Sequence, residues 1–330
     1  MQSKKSFHWK QALSTALFVA LLAMLCWYLY KNRADMQKLL TLDGGTIAKL
    51  LALALAGCVM NCVYHRIILG TYGIPLQLTD WLGVVFVSNA IAYVLPMRAD
   101  LVFSAAYYKH VKGLAYVKSA SMAAGNILFG VVFALLQILA ALLCTGLIEG
   151  VWSLTLWALW GVLTLCVALF IVFSLLAQAR EFVLLQKSKL LRDLVEGFNA
   201  LLRNRRLLWR LLACSIVSNL VQLLLYMVCF AAVGMRVTVY QALFYNSVSW
   251  LSSIVAIVPG NIGIKEGMMG VATSLMGTLV SNDAAVGVAV SLLQRVSVMV
   301  VYLAGGLAFG LPVWRKWSRG KARANATERP

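Results

Sequence analysis

The stretch VPGNIGIKEG, residues 258–267, decides the fold because it interrupts an apolar region that runs from residue 242 to residue 280. Pro259 lacks a backbone hydrogen-bond donor, and Gly260 and Gly263 each weaken a helix by about 1 kcal/mol. Irregular backbone at membrane depth is stable only where protein surrounds it or where it lines a wet cavity. We therefore predict a re-entrant helical hairpin, whose tip we call the second break.

An earlier interruption, which we call the first break, has the sequence PMRAD at residues 96–100. The apolar residues 81–95 precede it and residues 101–108 follow it. Neither run reaches the roughly 20 residues that a helix needs to cross a bilayer. The sequence thus predicts another re-entrant hairpin, broken at Pro96.

The composition places the whole chain in the membrane. Of its 330 residues, 62% are apolar and 12% are charged, whereas soluble domains are about 45–50% apolar and about 25% charged. We predict an all-α polytopic integral membrane protein with about six full spans besides the two hairpins. The predicted spans are residues 11–30, 47–69, 119–147, 152–178, 208–233 and 283–311.

The charged residues predict the orientation. The chain has 29 Lys and Arg against 11 Asp and Glu, a formal charge of +18. If the N-terminus is inside, most of the cations fall in cytoplasmic segments, as the positive-inside rule requires. We expect a multi-pass protein of a bacterial-type plasma membrane with both termini cytoplasmic. Nucleic acid is not an expected partner, because no basic groove with interleaved aromatic residues lies outside the spans.

With this topology the first hairpin enters from the cytoplasm and the second from outside, and a span precedes and follows each of them. Two units of one element order in opposite orientations predict an inverted repeat, an arrangement that recurs in transporters. We divide the single transmembrane domain, residues 1–330, accordingly. Its parts are a first span and outer loop (1–46), repeat unit 1 (47–147), a connecting span with a basic amphipathic cytoplasmic helix (148–207), repeat unit 2 (208–311) and a basic cytoplasmic tail (312–330).

Five charged residues lie at predicted membrane depth, namely Arg98, Asp100, Lys265, Glu266 and Arg295. Each costs about 2.5–3.5 kcal/mol at the centre of a bilayer, so each needs a reason to be there. One interpretation is structural, with ion pairs Arg98–Asp100 and Glu266–Arg295 that hold the hairpins. The other is functional, with the cations binding an anionic headgroup and the carboxylates tuning or gating that site.

The second break also predicts an anion site. A half-helix that starts near Ile264 would point its N-terminal N–H groups and positive dipole end into the membrane, which suits a phosphate. The polar residues between Asn246 and Ser253 are too dense for a lipid-facing helix, so we expect them to line a cavity. For isolated polar residues in the spans, we expect hydrogen bonds between helices; these residues are Asn126, Gln137, Asn219 and Gln222.

The predicted site therefore combines both breaks. Its headgroup-binding or gating residues are Arg98, Asp100, Asn261, Lys265, Glu266 and Arg295, and its breaks are formed by Pro96, Pro259, Gly260 and Gly263. We predict no catalytic residue, no cofactor and no metal, because the seven cysteines lie in apolar runs and the three histidines are isolated. The chain also lacks Walker A, H-E-x-x-H, G-x-S-x-G and dinucleotide motifs, which argues against ATP hydrolysis.

These motifs resemble a known family. The second break resembles the P-G-G-x-G-x-R-E-x signature of the flippase-like membrane region of lysylphosphatidylglycerol synthases, with Asn261 in place of the second glycine and Lys265 in place of the arginine. Residues 89–100 resemble that family's N…L-P-x-R-x-G-[DE] element, without the glycine before the acid. Span count, length and Arg295 also agree. The resemblance implies that lipid is moved between leaflets.

We accordingly expect a lipid flippase or transporter for an anionic, aminoacylated or polyprenyl-phosphate-linked lipid, and not an enzyme. Since only residues 312–330 follow the last predicted span, we expect a stand-alone member without the soluble synthase domain. One alternative is an integral-membrane lipid-modifying transferase with Asp100 or Glu266 as base. Another is a non-catalytic membrane partner of a separate lipid synthase.

Overall fold

The computed structural model describes residues 42–70, 73, 76–95, 98–179, 204–254, 259–276 and 284–327. This part of the chain is helical and contains no strand. The predicted span 11–30, Pro96 and most of the predicted amphipathic helix lie outside the described residues. The helices are α1 (Gly44–Gly70), α2 (Val84–Val94), α3 (Ala99–Lys112), α4 (Tyr116–Glu149), α5 (Leu154–Ala179), α6 (Arg205–Ala232), α7 (Val239–Ser252), α8 (Ile264–Leu275) and α9 (Ala284–Thr327).

Five of these helices, α1, α4, α5, α6 and α9, are long and apolar enough to cross a membrane. They coincide with the five predicted spans that fall within the described residues. Large apolar side chains cover their outer faces; Leu154 and Leu307, for example, are each 84% exposed. Such a surface is unfavourable in water and favourable in lipid. The protein is therefore a multi-pass membrane protein.

Asp43 sets the start of α1. Its carboxylate accepts hydrogen bonds from the Thr46 backbone N–H (2.9 Å) and the Thr46 hydroxyl (2.6 Å). These bonds satisfy a free donor of the first turn, as an N-cap does. They also hold the pKa of the exposed Asp43 carboxyl below its usual value, because the Thr46 hydroxyl and N–H favour the charged form.

The first hairpin comprises a π-helical turn (Thr79–Gly83), α2 and α3. Its two arms fold back on each other, since Asp80 at its start contacts Tyr107 and Lys112 at its end. The tip turns at Arg98, whose left-handed backbone (φ 56°) precedes the first turn of α3.

The second hairpin comprises α7, a short 3₁₀ turn (Pro259–Asn261) and α8. A capping box starts α7, in which the Thr238 N–H donates to the Gln241 side chain at 2.9 Å. Asn261 ties the turn back to α7, because its side-chain amide donates to the Ser252 carbonyl at 2.6 Å.

The two hairpins meet at their tips. A Cβ atom added to Gly260 would lie 3.1 Å from the Tyr93 ring and 3.7 Å from the Tyr93 Cα, so the last turn of α2 lies directly against the second break. Helix α9 packs against both hairpins. Its Arg295 bonds to the second break, and a Cβ on its Gly306 would lie 2.8 Å from the Ala90 Cβ of α2.

Helix α9 is longer than the predicted span 283–311. It continues past Pro312 into the predicted tail and ends at Thr327. Two contacts with the first hairpin fix this extension. Lys316 forms an ion pair with Asp80 (3.1 Å), and a Cβ on Gly320 would lie 2.6 Å from the His110 carbonyl.

Candidate functional site

A polar cavity of about 350 Å³ lies among α1, α4, α6, α7, α8 and α9. Many of the residues that line this cavity carry amide or hydroxyl groups, although the surrounding helices are apolar. The polar lining residues are Asn61, Tyr64, Asn126, Gln137, Ser215, Ser218, Asn219, Gln222, Tyr226, Asn246, Ser247, Ser249, Ser253, Lys265, Gln294 and Tyr302.

Interhelical hydrogen bonds organise part of this lining. The Asn246 amide donates to Asn219 at 2.6 Å, and the Ser247 hydroxyl donates to Gln137 at 2.8 Å. The hydrogen bonds predicted for Gln137 and Asn219 are thus present. The sequence did not indicate that Asn126 and Gln222 share one cavity with them, because spacing along a span does not tell which faces of different helices meet.

Lys265 is the one charged side chain among the described residues that line the cavity. Its ammonium donates to the side-chain carbonyl of Gln294 on α9. Within the described residues it forms no ion pair. A cation at this depth needs a partner, and a neutral amide leaves its charge unbalanced. When it is protonated, Lys265 has no counter-charge in the described lining of the cavity.

The Glu266 side chain, although adjacent to Lys265 in sequence, is buried and paired within the protein. It is 1% exposed, and its Oε1 lies 2.7 Å from the Arg295 Nε. The Arg295 Nη2 donates to Glu266 Oε2 at 3.1 Å and to the Asn261 carbonyl at 3.0 Å, and Nη1 donates to the Gly260 carbonyl. The predicted Glu266–Arg295 ion pair is therefore present, and its guanidinium also satisfies the carbonyls of the second break.

Helix α8 begins at Ile264, as predicted, but the carboxylate of Glu266 already lies at its N-terminus. Glu266 Oε2 accepts a hydrogen bond from the Gly263 N–H at 2.8 Å. This carboxylate partly neutralises the positive end of the helix dipole. An external phosphate would therefore compete with Glu266 for this helix terminus.

The first break has a different character. Within the described residues Arg98 and Asp100 form no ion pair, so the predicted structural pair is absent, and the Asp100 Oδ1 is buried without a hydrogen-bond partner. The left-handed backbone of Arg98 is strained, because a non-glycine residue rarely adopts it. Neither residue lines the cavity. The predicted cations are therefore distributed over both breaks and α9.

The sequence did not predict a cluster of charged and polar side chains around Asp80. This aspartate has no exposed surface, and it contacts Lys112 at 2.6 Å, Lys316 at 3.1 Å and the Tyr107 hydroxyl at 2.9 Å. The cluster joins both ends of the first hairpin to the extension of α9. Its members are up to 236 residues apart, so no local pattern could have indicated it.

The chain matches a protein-family model. The family model described as "Lysylphosphatidylglycerol synthase TM region" covers residues 11–307. No curated protein and no solved structure matches the chain.

Proposed function

The chain belongs to the family of lysylphosphatidylglycerol synthase TM regions, and from this membership we propose that it moves a lipid with an anionic headgroup between membrane leaflets. Membership itself indicates a lipid-related role in the membrane. The observation that carries the finer proposal is the polar cavity among apolar spans, in which Lys265 is the one cationic side chain of the described lining.

The size and chemistry of the cavity suit a headgroup. Ligand sites commonly measure about 300–1,000 Å³, and a cavity of about 350 Å³ is at the lower end of that range. It has room for a headgroup, while the acyl chains would remain in the lipid. Lys265 would balance the phosphate charge, and the amides and hydroxyls would replace its hydration. These groups would keep the phosphate charge balanced and hydrogen-bonded inside the membrane. The free-energy barrier to moving the headgroup across the bilayer would therefore fall.

The two hairpins would supply the movement. We take both to be re-entrant parts of an inverted repeat, beside six full spans, with the first hairpin open to the cytoplasm and the second to the outside. The contact between Tyr93 and Gly260 would make their tips the barrier between the two openings. Displacing one hairpin at a time would expose the cavity to one leaflet at a time, which is alternating access.

The predicted site residues then take different roles. Lys265 binds the headgroup. Glu266 and Arg295 keep the second break intact as its hairpin moves, and Asn261 fixes its turn. Arg98 and Asp100 act at the tip of the first hairpin, where an unpartnered carboxylate oxygen leaves Asp100 able to gain a partner when the tip moves.

In this proposal the chain performs no group transfer, and a separate lipid synthase would be its partner if the transported lipid is a modified one. Within the transferase alternative, the pairing of Glu266 with Arg295 weighs against Glu266 as the base, because a general base must reach its substrate.

Leaflet exchange in liposomes tests the proposal. The full chain is reconstituted with phosphatidylglycerol that carries a fluorophore on an acyl chain, and dithionite bleaches the outer leaflet. We expect the protected fluorescence to fall faster than in empty liposomes. Lys265→Gln should slow exchange roughly 10- to 100-fold, the value of a charge-assisted hydrogen bond. Lys118→Gln, which alters an exposed lysine, is the control. Exchange no faster than in empty liposomes for any anionic lipid would refute the proposal.

A further inference from the structure

Helix α4 has a gap in the middle of the face that it presents to the polar cavity. The described lining residues of this face recur at helical spacing, and the one among them without a side chain is Gly130. They are Asn126, Phe129, Gly130, Phe133, Ala134 and Gln137. The indole of Trp250, from α7 of the second hairpin, occupies the gap, because a Cβ atom added to Gly130 would overlap its Cζ2 and Cη2 atoms. The ring therefore lies directly on the backbone of α4.

Resting on the function proposed above, we infer that the Trp250 indole is the wall that limits the size of the transported headgroup, and that Gly130 positions it. Both residues line the cavity. A glycine weakens the interior of a helix, and its place here is explained by the ring, which needs the space of the missing side chain. A side chain at position 130 would displace the indole away from α4 and into the cavity.

The small volume of the cavity makes the position of this wall decisive. At about 350 Å³ the cavity lies near the lower limit for ligand sites, which measure about 300–1,000 Å³. Against an apolar wall, a difference of one methylene changes the discrimination between substrates by about 10- to 200-fold. Neither Trp250 nor Gly130 carries a charge, so selection at this wall depends on the volume of the headgroup and not on its charge.

A second glycine–tryptophan contact of α4 provides a matched control. A Cβ atom added to Gly146 would lie 2.7 Å from the ring of Trp152, so the packing resembles that of Gly130 and Trp250. Neither Gly146 nor Trp152 is among the residues that line the polar cavity. Substitutions at this second contact disturb the packing of α4 without altering the cavity wall.

The test uses two lipids of equal charge and different size. Phosphatidylglycerol and phosphatidylinositol each carry one phosphodiester and a hydroxylated headgroup, and the inositol ring is the larger. Liposomes with the full chain contain either lipid with a fluorophore on an acyl chain, and dithionite bleaching gives the exchange rate. We expect the inositol-to-glycerol rate ratio to rise about tenfold in Trp250→Ala and to fall about tenfold in Gly130→Ala. Gly146→Ala and Trp152→Ala should leave the ratio unchanged.

A double variant separates the size of the wall from damage to the fold. Phenylalanine has a smaller ring than tryptophan, so Gly130→Ala combined with Trp250→Phe should return the ratio toward the wild-type value. General damage by Gly130→Ala would slow both lipids alike, and the second substitution would not relieve it. An unchanged ratio in Trp250→Ala overturns the inference, whether or not the Gly130 variant folds.

The outcomes also separate this inference from the proposed function. If wild type exchanges phosphatidylglycerol but the ratio does not respond at position 250, the inference is wrong and the flippase function stands. If wild type exchanges no lipid, the flippase function is wrong, and binding decides the size limit. Thermal unfolding of the detergent-solubilised protein is then measured with the dioctanoyl form of each lipid. Trp250→Ala should increase the stabilisation by the inositol lipid relative to the glycerol lipid; the same relative stabilisation as in wild type overturns the inference.

Discussion

Lys265 and Glu266 are neighbours in the chain but have opposite surroundings. The Lys265 ammonium lies at the polar cavity and bonds to a neutral amide, whereas the Glu266 carboxylate is buried against Arg295. Both side chains belong to the first turn of α8, where successive residues point about 100° apart around the helix axis. One turn of helix thus presents a free charge to the cavity and a paired charge to the protein interior. This separation leads to distinct expectations for the two residues.

Breaking the buried pair should cost stability. Glu266→Gln leaves the Arg295 guanidinium without its counter-charge, and such a change costs about 3–5 kcal/mol. Lys265→Gln should not lower stability, because it removes a charge that has no counter-charge and glutamine can also donate a hydrogen bond. Thermal unfolding in detergent measures both. Equal stability of the two variants would contradict the division of roles.

The Asp80 cluster should hold the extension of α9 to the first hairpin. Asp80→Asn removes a fully buried counter-charge of two lysines, and we expect a loss of about 3–5 kcal/mol together with faster amide hydrogen exchange over residues 309–321. Asp43→Asn is the matched control, because asparagine caps a helix as well as aspartate does. Unchanged exchange in the Asp80 variant would show that the extension is held by other contacts.

Asn261 should be more sensitive to alanine than to glycine. Its backbone is left-handed (φ 59°) and its side chain donates to the Ser252 carbonyl. Glycine loses the hydrogen bond, worth about 1 kcal/mol, but tolerates the backbone. Alanine loses the bond and adds about 1–2 kcal/mol of strain. Thermal unfolding should therefore rank wild type, Asn261→Gly and Asn261→Ala in falling order; alanine above glycine would exclude strain as the cause.

Two glycines of α9 should respond differently to added bulk. A Cβ on Gly306 would lie 2.8 Å from the Ala90 Cβ, whereas nothing lies within 4 Å of one on Gly310. Gly306→Val should cost about 1–3 kcal/mol through overpacking against α2, and Gly310→Val should cost little. If thermal unfolding changes equally in both, α9 and α2 do not pack closely here.

Labelling tests the opposite orientation of the hairpins. In a cysteine-free background, a cysteine at Lys109, in the last turn of the first hairpin, should react with a membrane-impermeant maleimide only from the cytoplasmic side. A cysteine at Arg236 before the second hairpin should react only from outside. Both native residues are exposed. The same sidedness at the two positions would contradict the inverted arrangement.

The sequence was most informative where local chemistry is decisive. Proline and glycine at 259, 260 and 263 disrupt a helix wherever they lie, so the interruption of the second hairpin was predicted. A carboxylate three residues after Gly263 favours a helix start, which agrees with the observed first residue of α8, Ile264. The five described spans followed from length and apolar composition alone.

Contacts between distant elements could not be predicted in this way. The Arg98–Asp100 pair was suggested by spacing, but the left-handed turn at Arg98 places its side chain where no ion pair with Asp100 forms. Asp80 has no charged neighbour in sequence, yet it forms ion pairs with two lysines, one of them 236 residues away. The last predicted span ends at residue 311, yet α9 continues past Pro312 to Thr327 and contacts Asp80 through Lys316.

By itself, the sequence determined that the chain lies in the membrane, where its spans run and where two of its helices break. These features follow from hydropathy and backbone chemistry, which act over a few residues. The tertiary structure decided which charges form pairs inside the protein and which one lies at the polar cavity. That choice depends on the rotation and depth of packed helices. Only packing brings Gln294, Asn219 and Gln137 into one cavity with Lys265 and places Glu266 against Arg295.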